Sequence, residues 1–587
     1  MGPKKRLRCL SLGFSLMARV PWAMGACVGT RHTGHLGDPI RAQVAPEQGE
    51  HLKRTGYRYR AERLAGPYDV IVIGSGIGGL CAAALLSKLG QRVCVLEQHY
   101  TAGGFTHSYA RKGFEWDVGV HYIGEVHKPH SLMRRLFDLI TDQQLKWAPM
   151  DPVYDRIKVG QRVVDFPAGR QALAQSLKQH FPHEHEAIDA YLELVVQVAR
   201  SVSRFFAGQA MPRPLARLWM STRAALLPKA CFQTVREVLE GLTSDQELIA
   251  VLCGQWGDYG VVPSQASFLM HATVVKHYLD GGNYPVGGSW RIAQTIIPVI
   301  QAAGGEVFTY ARVQRIEVDR GRAVGVQMAD GTLIRAAKVI SAVGARLTYE
   351  RLLPQTLPVV QKTVARISRI QPSAGHLCLY AGFKGNAQSL KLPRTNLWIY
   401  PSSNVEEHVR QFEQDLSAPF PLLYISFPSA KDPQWDSTHP DTATVEVLTL
   451  GAWKHFAPWA DKRWRKRGAD YDALKSTLQH RLLEALFAEL PQLRAALVYA
   501  ELSTPLSTRW FSQYASGEIY GMDHTPERFA QHSLHPITPI KGLYLSGQDV
   551  LTAGVGGAMM GGLVTTCAML GLKAASVMRL LKPAPKA

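Results

Sequence analysis

The chain has 587 residues, which is enough for two or more domains with sizeable hydrophobic cores. Hydrophobic residues make up 46% of it and charged residues 19%, a globular balance that excludes a largely disordered protein. The formal net charge is +19, yet the sequence has no zinc-ligand spacing, aromatic RNA-binding signature or long basic helix, so nucleic-acid binding is not expected. The positive charge has two remaining interpretations: attraction to anionic lipid headgroups, or a basic surface without a specific partner.

Eight cysteines are scattered along the chain without a C-x-x-C pair, and several lie inside apolar runs. This usage is typical of a reducing compartment, and it predicts neither a disulfide framework nor a metal site. We therefore expect a protein on the cytoplasmic side of a membrane, without a bound metal.

Residues 1–54 differ in character from the rest of the chain. Four basic residues stand among the first eight, a short apolar patch broken by Arg19 follows, and the remainder is polar without periodicity. The start is similar to the charged head of a signal peptide, but its apolar region is short. A disordered or mis-assigned leader is the favoured interpretation, with a targeting signal as the alternative. No uninterrupted run of apolar residues predicts a membrane-spanning helix.

The most informative stretch begins with a run of valine and isoleucine at 70–73, which fits a strand buried on both faces of a parallel sheet. Glycines spaced G-x-G-x-x-G follow at Gly74, Gly76 and Gly79, then a helix-compatible run and a second apolar strand that ends in Glu97. Such glycines let the chain turn and approach a pyrophosphate, and the acid can bind the ribose hydroxyls. The pattern predicts a dinucleotide site, with a purely structural glycine turn as the alternative.

Two segments after Glu97 extend this site. Gly103 and Gly104 are small residues at which the backbone can approach the phosphates again. The run 115–124 mixes polar side chains and glycines in an apolar context, which suits the wall of a binding cavity. A hairpin with incidental polar residues is the alternative.

The middle of the chain is helix-rich from 125 to about 275, and then strand-like from 307 to 343 with a hairpin turn at Asp330-Gly331. Within the helices, 203–232 interleaves basic with large apolar residues and has no acids. This pattern indicates an interfacial membrane contact or, alternatively, a helix pair that covers the core. Because no second G-x-G-x-x-G occurs, a separate nicotinamide-binding domain is not expected.

Taken together, these segments resemble the retinol saturase and carotenoid isomerase branch of the phytoene desaturase-like flavoproteins. The resemblance covers about residues 55–581, and it is carried by Gly74–Gly79, Glu97, Gly103-Gly104 and the runs 117–122, 257–260, 284–288 and 545–549. It implies an α/β fold: a FAD-binding, Rossmann-like parallel-sheet domain with a discontinuous mixed-sheet and helical substrate domain. We accordingly divide the chain into a FAD-binding domain from 55–150, 281–350 and 536–582, and a substrate and membrane-contact domain from 151–280 and 351–535.

The resemblance also implies which residues bind FAD. The expected contacts are the loop residues Gly74, Ser75, Gly76, Gly78 and Gly79, Glu97 at the adenosine ribose, Gly103 and Gly104 at the pyrophosphate, the backbone around Val313 at the adenine, Asp549 at the ribityl chain, and a helix N-terminus at Gly556 and Gly557 facing the flavin. One departure concerns Phe105, which stands where many relatives have arginine, so neutralisation of the pyrophosphate charge at that point is in doubt.

The implied chemistry is hydride exchange between flavin and a carbon of a hydrophobic isoprenoid polyene, with His121, Tyr122 and Asp258 as the candidate catalytic residues and Tyr259 and His271 beside them. Burial would keep a tyrosine or aspartic acid protonated as a proton donor, although these groups could instead bond one another structurally. Reduction of a retinoid- or carotenoid-like double bond is the leading interpretation, with desaturation or cis-trans isomerisation as alternatives. A flavin-free prenyl-binding chaperone of the Rab escort type is the non-enzymatic alternative. Electrons would come from a partner, a quinone or NAD(P)H, and the oligomeric state is not indicated.

Overall fold

The computed structural model describes residues 54–582, so the predicted leader lies outside the described residues apart from Arg54. The described part contains two large sheets, three smaller ones and helices packed around them.

A six-stranded parallel sheet is built from three separate segments of the chain. Its strands lie in the order Tyr57–Arg58, Glu306–Thr309, Val93–Leu96, Val70–Ile73, Lys338–Ser341 and Leu543–Leu545. Neighbouring strands pair in parallel throughout, and Val70–Ile73 and Val93–Leu96 are buried at every position. Valine and isoleucine suit a strand that is covered on both faces. The predicted Rossmann-like sheet is confirmed.

Three helices cover one face of this sheet. Helix Ile77–Lys88 leaves the glycine loop and packs between helices Arg291–Ala302 and Gly554–Leu570. The contact with Gly554–Leu570 is close because it is lined by glycines: a Cβ on Gly562 would lie 2.5 Å from the carbonyl oxygen of Gly78. Helix Pro358–Ile367 contributes to the core on the opposite face.

The strand series predicted for 307–343 divides between two sheets. Glu306–Thr309 and Lys338–Ser341 join the parallel sheet, as expected. The strands Val313–Asp319, Arg322–Met328 and Leu333–Arg335 instead form a separate antiparallel sheet. Their tight turns, including the predicted one at Asp330-Gly331, return each strand directly beside the previous one, which is the geometry of an antiparallel meander.

The second large sheet has seven strands and is mixed. Their order is Leu497–Ser503, Gly375–Lys384, Thr442–Gly451, Leu423–Ser426, Asn396–Tyr400, Val153–Val159 and Arg162–Pro167. Only the pairing of Asn396–Tyr400 with Val153–Val159 is parallel. Helix Ala469–Glu489 packs on one face of the sheet through Leu478, Leu482 and Leu486. The other face is turned towards the candidate site.

Helices from the middle of the chain pack on that face. They are Arg170–His180, His185–Phe205, Val235–Glu240, Gln246–Leu252 and Phe268–Tyr278, whereas Arg213–Thr222 packs against the short helix Ala207–Ala210. The remaining helices of eight or more residues are Leu132–Ile140, Val405–Gln414 and Pro505–Ser512, and Ala575–Leu580 ends the described chain. The smaller sheets are Ser108–Arg111 with Phe114–Asp117, and Ile123–Gly124, Gly282–Pro285 and Trp147–Pro149.

One helical stretch, Gly554–Leu580, is long and apolar enough to cross a bilayer by length and composition, with a mean hydropathy of 1.6. A core helix satisfies the same criterion, and the first part of this stretch packs tightly inside the protein. A Cβ on Gly561 would lie 2.4 Å from the carbonyl oxygen of Gly547. The stretch is therefore only weak support for a membrane span.

Candidate functional site

The glycine loop follows the carboxyl end of strand Val70–Ile73. Gly74 has a φ of +93°, and a Cβ on Gly79 would lie 2.3 Å from the carbonyl oxygen of Gly74, so the turn itself requires both glycines. Gly78 packs against the chain instead, because its Cβ would lie 2.6 Å from Cα of Gly547. Gly76 differs from these three: nothing lies within 4 Å of the position of its Cβ. The backbone at Gly76 thus faces open space.

Glu97 is tied to this loop at the end of the neighbouring strand. Its Oε2 accepts hydrogen bonds from the backbone N–H and the hydroxyl of Ser75, at 2.9 and 2.7 Å, and its Oε1 accepts one from the backbone N–H of His99 at 2.8 Å. The Ser75 hydroxyl also accepts a hydrogen bond from the backbone N–H of Gly103 at 3.1 Å. A single network therefore joins the glycine loop, the acid and the second glycine pair.

Gly103 and Gly104 lie directly beside Gly76. Gly103 forms a parallel bridge with Gly76, and a Cβ on Gly104 would lie 2.9 Å from Cα of Gly76. Both glycines have positive φ values, +124° and +57°, which side chains disfavour. The two glycine segments together form a cradle without side chains at the N-terminus of helix Ile77–Lys88, where backbone N–H groups favour anions.

The other predicted FAD contacts lie along the same edge of the parallel sheet. Asp549 accepts backbone N–H hydrogen bonds from Ala345 at 2.7 Å and Met522 at 3.2 Å, so it joins two loops. Gly556 and Gly557 lie in the first turn of helix Gly554–Leu570.

Val313 starts its strand just after Ala311, whose backbone N–H donates a hydrogen bond to the carbonyl oxygen of Glu97 at 2.7 Å. This contact brings the start of the antiparallel meander close to the acid at the end of the second strand. The backbone around Val313 is thus a neighbour of Glu97, as the predicted adenine contact requires.

Tyr122 and Asp258, two of the three predicted catalytic residues, lie in contact. The Tyr122 hydroxyl is 3.0 Å from Oδ2 of Asp258 and 2.9 Å from Oδ2 of Asp155. The phenol ring of Tyr122 stacks on that of Tyr278, with centroids 4.0 Å apart and planes at 8°. One hydroxyl is therefore shared between the buried carboxyl group of Asp155 and the partly buried carboxyl group of Asp258.

The remaining candidates point elsewhere. His121, the third predicted catalytic residue, places its Nδ1 2.9 Å from Oε2 of Glu446. His271 is held between two phenols, 2.9 Å from the Tyr191 hydroxyl and 3.2 Å from that of Tyr259, inside the hydrophobic core. His271 and Tyr259 therefore bond each other, as in the alternative in which these polar groups have a structural role.

Burial sets the protonation of the carboxyl pair. Desolvation, together with the nearby charge of Asp155, raises the pKa of Asp258 to about 8. Burial also raises the pKa of Tyr122 well above its usual value, so the phenol stays protonated. The pKa of Asp155 is raised by burial too, but hydrogen bonds from Asn396, Gln255 and Tyr122 oppose this rise. Of the two carboxyl groups, Asp155 has more hydrogen-bond donors to oppose the rise in its pKa than Asp258.

Comparison with known proteins decides the family. Residues 77–570 match the family described as flavin containing amine oxidoreductase. The chain belongs to this family.

Individual relatives agree with this assignment of the chain to the flavin-containing amine oxidoreductases. All-trans-retinol 13,14-reductase from Rattus norvegicus is 37% identical over 531 residues, which cover 87% of each chain. Prolycopene isomerase from Arabidopsis thaliana is 26% identical over 527 residues, 84% of this chain and 82% of that protein. Cyclohexylamine oxidase from Brevibacterium oxydans has the same fold, with a TM-score of 0.57 at 20% identity over 88% of this chain and 100% of that chain. The predicted FAD-dependent oxidoreductase class and the predicted family branch are confirmed, and the chaperone alternative is not favoured.

The residues of this flavin-containing amine oxidoreductase fit a bound FAD. The glycine cradle is open beside Gly76, Glu97 offers carboxylate oxygens next to it, and two helices begin at the same edge of the sheet. Among residues 54–582, no three His, Cys, Asp or Glu side chains are arranged to hold a metal ion.

Sequence reasoning missed three residues around Tyr122: Asp155, Lys431 and Glu446. Each is buried in or beside a strand of the seven-stranded sheet. The available signal was a charged residue among apolar ones, as at Glu446, which stands between Val445 and Val447. That signal indicates a buried charge, but it does not indicate that residues distant in the sequence lie together around Tyr122.

Proposed function

We propose that this enzyme reduces one carbon–carbon double bond of a retinoid-like polyene, and that Tyr122 supplies the proton. The observation that carries the proposal is the Tyr122 hydroxyl shared between Asp155 and Asp258, at 2.9 and 3.0 Å, in surroundings otherwise rich in aromatic side chains. The rat relative, named for the 13,14-reduction of all-trans-retinol, supports the choice of substrate class.

In this proposal FAD is held by the glycine cradle and its neighbours. Glu97 binds the adenosine ribose, Gly76 and the glycine pair Gly103-Gly104 approach the pyrophosphate, and Asp549 meets the ribityl chain. The N-terminus of helix Ile77–Lys88 supplies positive potential at the phosphates, which compensates for the absence of an arginine at Phe105. When bound and reduced, the flavin supplies a hydride to a carbon of a conjugated system.

The protein residues supply the proton. Tyr122 donates its hydroxyl proton to the neighbouring carbon, and Asp258, in its acid form, returns a proton to the phenolic oxygen. Because burial raises the pKa of Asp258 to about 8, the acid form is present at neutral pH. Aromatic rings of Tyr278 and Tyr424 flank Tyr122 and limit the access of water. In this scheme His121, which faces Glu446, does not act as the proton donor.

We further propose that the enzyme contacts an anionic membrane through the segment 203–232. Leu215, Leu218 and Leu226 are 55%, 62% and 53% exposed in a segment that carries several arginines and no acids. Two larger residues of the same segment, Trp219 and Phe206, are less exposed. Trp219 donates its indole N–H to the carbonyl oxygen of Arg204 at 3.0 Å, and Phe206 packs on Phe205 and Phe529.

The source of electrons belongs to the same proposal. We infer that NAD(P)H or another soluble or membrane donor reduces the flavin transiently, since the sequence has a single G-x-G-x-x-G and no second dinucleotide motif.

The mass of the product tests the proposed reaction. Photoreduced enzyme mixed with all-trans-retinol without oxygen should give a product two mass units heavier than the substrate. A product two units lighter would establish a desaturase, and an isobaric product of altered geometry would establish an isomerase.

A further inference from the structure

Four neighbouring strands of the seven-stranded sheet carry polar residues at one level, on the face turned towards Tyr122. Asp155 pairs with Asn396 across two strands, and Ser426 pairs with Glu446 across the next two. All four side chains are completely buried. On one side of the row, the residues two positions along the strands are apolar or aromatic: Ile157, Trp398, Tyr424 and Leu448. The polar row therefore borders a hydrophobic part of this face. Such a row is costly unless its members are paired.

Lys431 provides this pairing from above the row. Its ammonium donates hydrogen bonds to the carbonyl oxygen of His121 at 3.0 Å, to the Ser426 hydroxyl at 2.8 Å and to Oδ1 of Asn396. Three oxygen acceptors match the three N–H donors of an ammonium group. Because Oδ1 of Asn396 faces this cation, its amide nitrogen faces the other way and donates to Oδ1 of Asp155 at 2.8 Å.

The hydrogen bonds make the two carboxyl groups beside Tyr122 unequal. Asp155 accepts from Asn396, from Gln255 at 2.7 Å and from the Tyr122 hydroxyl at 2.9 Å. Among the side chains of residues 54–582, only the Tyr122 hydroxyl forms a hydrogen bond with Asp258. Donors that bond a carboxylate favour its ionised form, so Asp155 is the carboxylate of the pair and Asp258 the acid.

We propose that Lys431 is a positioning residue of this site: acting through Asn396, it holds Asp155 as the ionised acceptor of the Tyr122 hydroxyl and leaves the transferable proton on Asp258. This inference rests on the proposed function, in which Tyr122 gives the proton to the substrate.

The proton and electron balance is simple. The substrate carbon takes a proton from the Tyr122 oxygen, Tyr122 takes one from Asp258, and Asp258 becomes a carboxylate that regains its proton from solvent. The adjacent carbon receives the hydride that the reduced flavin supplies, so the double bond gains two hydrogens and the flavin is oxidised.

Charged and titratable groups surround Lys431 and the carboxyl pair. They are Glu446, His121 and Asp117 on one side, and the phenols of Tyr122, Tyr154, Tyr278, Tyr400, Tyr424 and Tyr520 on the other. Burial lowers the pKa of Lys431, and the neighbouring acids Glu446, Asp155 and Asp117 oppose this fall and favour the ammonium form. A cation at this place favours ionisation of the carboxyl pair, so its removal raises the pKa at which the pair loses its proton.

The test is an infrared titration of the purified FAD enzyme without substrate, followed by the pH dependence of the reductive step. The carboxylic-acid band that disappears in Asp258→Asn reports the shared proton. In Lys431→Met the band should persist to a pH higher by about one unit, and the alkaline decline of the reductive rate should move with it. The maximal rate should fall on the order of 10-fold or more, since the donor is less well oriented.

Lys158→Met is the matched control, because Lys158 lies on the same strand as Asp155 but pairs with Glu489 at 2.6 Å. It should leave both titrations unchanged. If Lys431→Met does not fold, Asn396→Leu breaks the same connection and should shift both titrations in the same direction.

Titrations of Lys431→Met and Asn396→Leu that coincide with those of Lys158→Met would overturn the proposal. The infrared titration needs no substrate, so it tests the role of Lys431 even if the enzyme makes no product two mass units heavier, a result that would refute the proposed function alone.

Discussion

The carboxylate of Glu97 accepts hydrogen bonds from both the backbone N–H and the hydroxyl of Ser75, at 2.9 and 2.7 Å. These contacts fix the end of the second strand to the glycine loop that follows the first. The acid and the loop therefore form one preorganised unit, which would need little rearrangement to bind the adenosine ribose as we propose.

Replacing Glu97 with alanine should weaken FAD binding by about 1.5–3 kcal/mol, because a buried charge-assisted contact with the ribose is lost. This corresponds to a rise in Kd of roughly 10- to 10²-fold, measurable by flavin fluorescence during reconstitution of the apoprotein. Glu484→Ala, which removes an exposed partner of Arg494, is the control and should leave the Kd unchanged. An unaltered Kd in Glu97→Ala would mean that the ribose is held elsewhere.

Two glycines of the same loop should respond differently to alanine. Gly76→Ala should fold with the thermal stability of the parent and fail to retain FAD, because its Cβ would project into open space next to the cradle. Gly78→Ala should lower the free energy of unfolding by about 1–3 kcal/mol, since its Cβ would lie 2.6 Å from Cα of Gly547. Thermal unfolding and bound flavin, measured on both variants, check this. Full FAD retention by Gly76→Ala would contradict the placement of the pyrophosphate.

Membrane binding should depend on the exposed leucines of segment 203–232. Changing Leu215 and Leu218 to serine should reduce sedimentation with anionic liposomes by on the order of 10-fold or more, because each buried leucine contributes about 1.5–3 kcal/mol. Added salt should partly release the parent protein, since attraction between arginines and headgroups is screened. Val498→Ser, at a site 61% exposed on the seven-stranded sheet, is the control. Equal binding by the double variant and the control would rule this surface out.

The reductive rate should fall as the pH rises through about 8, because the donor pair needs Asp258 in its acid form and burial raises the pKa of Asp258 to about that value. Below this pH the acid form is fully present, so the rate should level off there. Asp258→Asn should lower the plateau by on the order of 10²-fold and remove the alkaline decline. Stopped-flow oxidation of the reduced flavin by substrate, recorded across pH, would show this. An alkaline decline that survives in Asp258→Asn would assign it to another group.

The parts of the site that sequence analysis predicted are those fixed by neighbours in the chain. The strand, the loop at Gly74 and Gly76, the helix and Glu97 follow one another, so local spacing carries the geometry. Tyr122 and Asp258 were also predicted, but their partner Asp155 was not, because strand pairing across distant segments brings it there. The exposure of Leu218 rather than Trp219 likewise depends on packing that no local pattern encodes.

A single-turnover reaction of photoreduced enzyme with all-trans-retinol, in the absence of oxygen, tests both the direction of the reaction and the role of Tyr122. We expect the flavin to be reoxidised and the product to be two mass units heavier. Tyr122→Phe should slow reoxidation by about 10²–10⁴-fold with an unchanged FAD content. Tyr471→Phe, which loses a hydrogen bond with the Thr504 hydroxyl on the other face of the seven-stranded sheet, should react at close to the parent rate. A lighter or isobaric product, or a Tyr122→Phe enzyme as fast as its parent, would contradict the proposed reaction.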